Sequence, residues 1–118
     1  MRRVNVLGAV YRVCTGVSYR KDSGLKGRFG YCSFSDRRIV VGDLSTCDTW
    51  KDESKEAREA QERLTLRHEL IHAFLRESGL DSSSCGAECW ARNEEMVDWV
   101  AIQYPKISAA FRKMGCDV

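Results

Sequence analysis

The chain changes its hydrophobic rhythm near its middle. Up to Leu44 the apolar positions are β-branched or aromatic and fall in short runs between glycines and polar residues: VNVLGAVYRV (residues 4–13), GRFGYCSF (27–34) and RIVVGDL (38–44). Such runs suit the pleated, half-buried surface of a sheet and predict about three strands. TGVSYRKDSGLKG between the first two reads as a loop. Ser35-Asp36-Arg37 is short enough to join the last two as an antiparallel hairpin.

Past Asp52 the rhythm becomes helical. KDESKEAREAQERLTLRHELIHAFLRES (51–78) holds no Gly or Pro and many strong helix formers, and Gly79 stops it. Its first half is almost entirely charged, so burial should begin only near Leu64. A loop, GLDSSSCGAE (79–88), precedes a second helix, CWARNEEMVDWVAIQY (89–104). Pro105 should end that helix, leaving a short amphipathic tail at 107–114. Strands first and helices after predict an α+β fold, with the helices packed on one face of a small antiparallel sheet.

Size and charge narrow the functional classes. A chain of 118 residues, 43% hydrophobic and 31% charged, suits one domain spanning 1–118. Nineteen Lys and Arg against 17 Asp and Glu leave a net charge of +2, which makes no case for nucleic acid or an anionic membrane as partner. The pairs Arg2-Arg3 and Arg37-Arg38 read as solvated surface. No apolar run approaches the ~20 residues that span a bilayer, and Asn5 and Arg12 interrupt the N-terminal run, so no export is expected. Of the six cysteines, only Cys85 and Cys89 lie close together and no CxxC occurs. Reduced, structural thiols are the expectation. A zinc site around CGAEC is a weaker alternative, because no histidine remains to complete it.

The candidate chemistry lies in HELIH. His68 and His72 are one helical turn apart, so their rings rise on one face and can grip one ion. Glu69 points about 100° away from His68, where it can reach a water on the metal without becoming a ligand, as a general base must. Zinc suits two neutral imidazoles and a third protein ligand, with a fourth position left open. Leu70, Ile71, Phe74 and Leu75 are expected to keep the surroundings apolar. No third histidine exists, so a carboxylate or thiol must complete the set. NEEMVD supplies it: Glu94 or Glu95 can reach across from the second helix, and Glu94 has Asp98 one turn later to orient a ligating histidine. Glu94 is therefore the expected ligand, with Asp98 behind it.

HELIH followed by NEEMVD resembles the gluzincin metallopeptidases, in which HExxH is followed by a glutamate and, four residues on, an aspartate. More narrowly, TLRHELIHAFLRESGL with WARNEEMVDWVAIQYPKI is similar to the small ImmA/IrrE-like metallopeptidases of phages and bacterial mobile elements. Glu94, Val97, Asp98 and Ala101 meet that family's ExxANxFA pattern loosely, and SSSCGAEC departs from it. The resemblance covers residues 65–107 well and the strand half poorly. It implies a cytoplasmic protein of a bacterial or phage-infected cell, acting on a protein substrate such as a phage regulator. It also implies an antiparallel sheet whose edge strand, here RIVVGD, binds an extended peptide by strand addition. Larger gluzincins steady the oxyanion with a histidine or tyrosine. Both histidines here are used, so a tyrosine or arginine must substitute, and Tyr31 and Tyr104 are the candidates.

Together these residues predict a zinc endopeptidase of narrow specificity. Two other readings stay open on the sequence: a zinc-stabilised protein-binding module of weak or no catalysis, and a disulfide-braced interaction protein with a chance motif.

Overall fold

The computed structural model describes residues 1–83, 90–114, 116 and 117. Its architecture is α+β: strands β1 (Arg2–Val6), β2 (Ala9–Val17), β3 (Gly30–Ser33) and β4 (Arg38–Gly42) precede helices α1 (Lys55–Glu77), α2 (Leu80–Ser83) and α3 (Glu94–Met114). The sheet has four strands in the order β1-β2-β4-β3.

The first apolar run is two strands rather than one. Leu7 and Gly8 both take positive φ, 51° and 93°, and Asn5 Oδ1 accepts the Gly8 N–H at 2.8 Å, which closes a two-residue hairpin between β1 and β2. A leucine in that conformation is unusual, and Leu-Gly lacks the Asn-Gly signature that marks such turns in a sequence. The β3–β4 hairpin forms at the expected turn, with Arg37 at φ 49°.

The sheet is mixed, correcting the expectation of an antiparallel one. Strand β4 runs parallel to β2 and antiparallel to β3. The chain leaves β2, crosses to the far edge as β3, and turns back to insert β4 between them. RIVVGD is thus an interior strand, and Ile39, Val40 and Val41 are all buried. The edge beside the helices is β3.

Helix α1 lies on the sheet. Ser54 caps it, its hydroxyl accepting the Ala57 N–H at 3.1 Å, so it begins four residues later than the helix formers alone suggest. Its buried stripe is Thr65, Glu69 and Ala73, spaced one turn apart, and Ala73 joins Val6, Ala9, Tyr11, Val13, Ile39 and Val41 in the core. The approach is close at Gly30, where a Cβ would stand 2.8 Å from Thr65 Cγ2. Gly79, at φ 87°, follows the last turn as expected.

Helix α3 crosses α1 through Val97 and Ala101, both fully buried. It begins at Glu94, where Asn93 Oδ1 accepts the Met96 N–H at 2.9 Å, and not at Cys89, which lies outside the described residues with Cys85. It also runs straight through Pro105 to Met114. The reason lies on α1. Pro105 has no N–H for the Ala101 carbonyl one turn back, and Arg67 Nε donates to that oxygen instead, at 2.7 Å. The proline's missing donor is thereby replaced across the helix interface.

Removing that donor should therefore hurt only while the proline is present. Arg67→Met is expected to cost about 1–3 kcal/mol, the penalty of an unsatisfied buried carbonyl. In a Pro105→Ala background, where residue 105 regains its N–H, the loss should shrink by half or more. Urea unfolding of both single variants and the double variant measures this; equal losses in the two backgrounds would refute the substitution of donors.

Candidate metal centre

The i,i+4 spacing on α1 sets the His68 and His72 rings 4.8 Å apart, centroid to centroid. Their Nε2 atoms are 3.1 Å from each other. Glu94, at the first turn of α3, completes a triangle: its Oε2 is 3.0 Å from His68 Nε2 and its Oε1 is 3.0 Å from His72 Nε2. Among the described residues these three form the one group of histidine, cysteine and acidic side chains placed to hold a metal ion.

With Glu94 ionised, protons alone leave an edge of this triangle unsatisfied. If both Nε2 atoms carry hydrogens, both bonds to Glu94 form but two N–H groups face each other. If one nitrogen is bare, its lone pair faces a carboxylate or a bond is lost. One divalent cation would satisfy all three edges. Tetrahedral zinc with bonds of about 2.0–2.1 Å separates its ligand atoms by about 3.3 Å, close to the spacings present. The donor set therefore fits zinc.

The surrounding groups prepare the histidines for that role. Asp98 Oδ1 stands 3.4 Å from His68 Nδ1, favouring a proton there and turning the Nε2 lone pair inward. Burial lowers the His72 pKa against the opposite pull of Glu94, so its neutral, ligating form is favoured. Glu95, also on the first turn of α3, belongs to no such group.

Glu69 is the unusual member. It is 7% exposed, and its Oε2 has no hydrogen-bond partner among the described residues. Its Oε1 is 4.0 Å from His68 Nε2. Desolvation drives its pKa up to about 7; His68 and Arg28 pull it down, and Glu94 adds to the rise. A buried carboxylate beside the triangle yet outside it can accept a proton from a water that approaches the metal position.

These groups open onto a cleft of about 1320 Å³ between α1, β3 and the loops around Arg28 and Trp50. Of the two tyrosines expected to steady an oxyanion, Tyr31 lines this cleft and Tyr104 does not. Tyr104 is 55% exposed on α3. The Tyr31 hydroxyl is already engaged: it donates to Asp22 Oδ2 at 2.7 Å and accepts from Arg38 Nη2 at 3.3 Å. Phe74, expected to shield the site, is instead 43% exposed. Cys32 lines the cleft too, but burial, with Glu69 and Glu77, pushes its thiol up to about 12, which keeps it protonated and a poor ligand. Cys14, Cys32 and Cys47 are free thiols.

The sequence pattern places Arg28 and Phe29 at the start of a strand in GRFG and so hides them as cleft residues. The strand begins only at Gly30, and the two side chains belong to a loop wall of the cleft. A cation and an aromatic between two glycines were the available signal.

Glu94→Ala should weaken zinc binding far more than Glu95→Ala, and Asp98→Asn should weaken it by about 10–100-fold, as for groups that orient a ligating histidine. Zinc titration against a competing chelator reads all three; equal effects at Glu94 and Glu95 would mean that the ligand set is wrong. No protein-family model, curated protein or solved structure matches the chain, so its functional reading rests on the chemistry of these side chains.

Proposed function

We propose that this chain is a zinc endopeptidase of the minimal gluzincin type, hydrolysing a peptide bond in a protein substrate, such as a regulator of a phage or mobile element. One observation carries the reading: His68, His72 and Glu94 converge on a single point while Glu69 lies buried beside it with an unpartnered oxygen. A structural zinc site is closed by four protein ligands, whereas a hydrolytic one has three and a neighbouring base. The HELIH and NEEMVD resemblance to ImmA/IrrE-like peptidases supports the same assignment.

His68, His72 and Glu94 would hold the ion, and Asp98 would keep His68 in its ligating tautomer. Zinc, when bound, would supply Lewis acidity beside Glu69. Glu69 takes the proton of the attacking water and returns it to the leaving amine as the peptide bond breaks. Its burial keeps bulk water from competing for that proton.

The peptide would lie along β3. Gly42 N–H donates to the Phe29 carbonyl at 2.9 Å, so residues 29, 31 and 33 are the hydrogen-bonded positions facing β4. The alternation turns the main-chain groups of Gly30 and Cys32 the other way, toward the outer edge. An extended substrate can add there as a further strand, with its scissile bond above α1. This assigns to β3 the role that the sequence suggested for RIVVGD.

Glu69→Gln retains volume and hydrogen-bonding reach but loses basicity. Fold and zinc content should survive while cleavage of a candidate repressor protein falls by about 10²–10⁴-fold or more. His72→Ala should instead lose zinc and much of the stability together. Zinc analysis, thermal melting and a cleavage assay separate the two; wild-type cleavage by Glu69→Gln would contradict the mechanism and favour a zinc-stabilised protein-binding module.

A further inference from the structure

We propose that the cleft wall carrying Arg20, Lys26 and Arg28 binds an acidic segment of the polypeptide substrate. This rests on reading the cleft as a peptide site, and it adds the class of sequence the cleft accepts. All three cations belong to the link between β2 and β3 and line the same cleft as His68, Glu69 and Glu94. Among the described residues none of them forms an ion pair.

Glu69 lies within the field of Arg28, and the other carboxylates around the cleft have partners of their own. Asp22 accepts the Gly24 N–H at 2.9 Å and the Tyr31 hydroxyl at 2.7 Å. Asp43 Oδ1 accepts from the Ser45 N–H at 3.0 Å and its hydroxyl at 2.7 Å, and Asp48 faces Lys51 at 3.9 Å. On the opposite wall Glu94 and Asp98 are committed to the histidines. The link between β2 and β3, residues 18–29, thus sets four cations, Arg20, Lys21, Lys26 and Arg28, against one acid, Asp22, although the whole chain has a net charge of only +2.

Two features make this wall more than a solvated charge patch. The Arg28 guanidinium stands 5.5 Å over the Tyr31 ring, whose hydroxyl is pinned by Asp22 and Arg38, so a cation–π contact steadies its position. Beside it Phe29 packs edge-on against Trp50 at 5.5 Å, and both rings line the cleft. An apolar side chain flanked by Asp or Glu would meet both surfaces. A polypeptide is favoured over nucleic acid because the cleft borders the outer edge of β3, which offers peptide hydrogen bonds, and because three cations are few for a phosphate backbone.

The test uses the full-length Glu69→Gln protein, immobilised, to select from a random displayed-peptide library. Retained peptides should be enriched in Asp and Glu, and the further changes Arg20→Glu, Lys26→Glu and Arg28→Glu together should switch the enrichment to Lys and Arg. Each single reversal should weaken one retained acidic peptide, followed by fluorescence anisotropy, roughly two- to fivefold at low salt, and less as salt rises. The single reversals keep the proposal testable if the triple variant fails to fold, which circular dichroism reports. Selection blind to charge, single reversals without effect, or tighter binding of a short single-stranded oligonucleotide would overturn it. Acidic peptides that bind but are never cut by the zinc-loaded wild type would strike the peptidase reading and leave this wall standing. Cutting regardless of peptide charge would strike the wall alone.

Discussion

The crossing of α3 over α1 is the contact on which the site depends. Two histidines one turn apart on α1 make only a two-point grip, and the third donor is 26 residues from the first. Glu94 reaches them because Val97 and Ala101 are buried against α1 and because Arg67 ties the interface to the Ala101 carbonyl. That last bond answers a defect of the sequence, the proline one turn on. Asp81 steadies the approach to α3: it is 6% exposed, meets Arg76 at 3.3 Å, and its carbonyl accepts Arg92 Nε at 2.6 Å. The geometry of the candidate ligands is thus a consequence of helix packing.

Glu69 shows the opposite economy. On α1 it occupies a stripe otherwise made of Thr65 and Ala73, where an apolar residue would serve packing better. Burying a carboxylate with one oxygen unpartnered works against folding, which is reflected in its pKa near 7. A divalent cation a few ångströms away would offset that cost and restore the ionised form. The residue that spoils the core is the one that the proposed chemistry requires, so the strain and the proposed catalysis have the same origin.

The grouping of His68, His72 and Glu94 was legible in the sequence because its determinants are local. The i,i+4 pair, the adjacent glutamate and the Glu94–Asp98 turn each lie within one helical segment, and helical periodicity fixes which face they share. What could not be read was long-range. Nothing local tells β4 to insert beside β2 in parallel, so RIVVGD reads as the edge that β3 occupies. The Leu7-Gly8 hairpin hid behind a leucine at positive φ, and the helix through Pro105 depended on a donor from another element. For the tyrosines, too, placement and partners are long-range: the Tyr31 hydroxyl meets Asp22 and Arg38, and Tyr104 lies outside the cleft lining.

The central claim is that two imidazoles and one carboxylate hold zinc while a fourth position stays open. X-ray absorption at the zinc edge of the zinc-loaded chain tests it most directly. The account predicts nitrogen and oxygen neighbours only, at about 2.0–2.1 Å, with the outer-shell signature of two imidazole rings. Sulfur neighbours at about 2.3 Å would mean that cysteine thiolates close the site, and would contradict it.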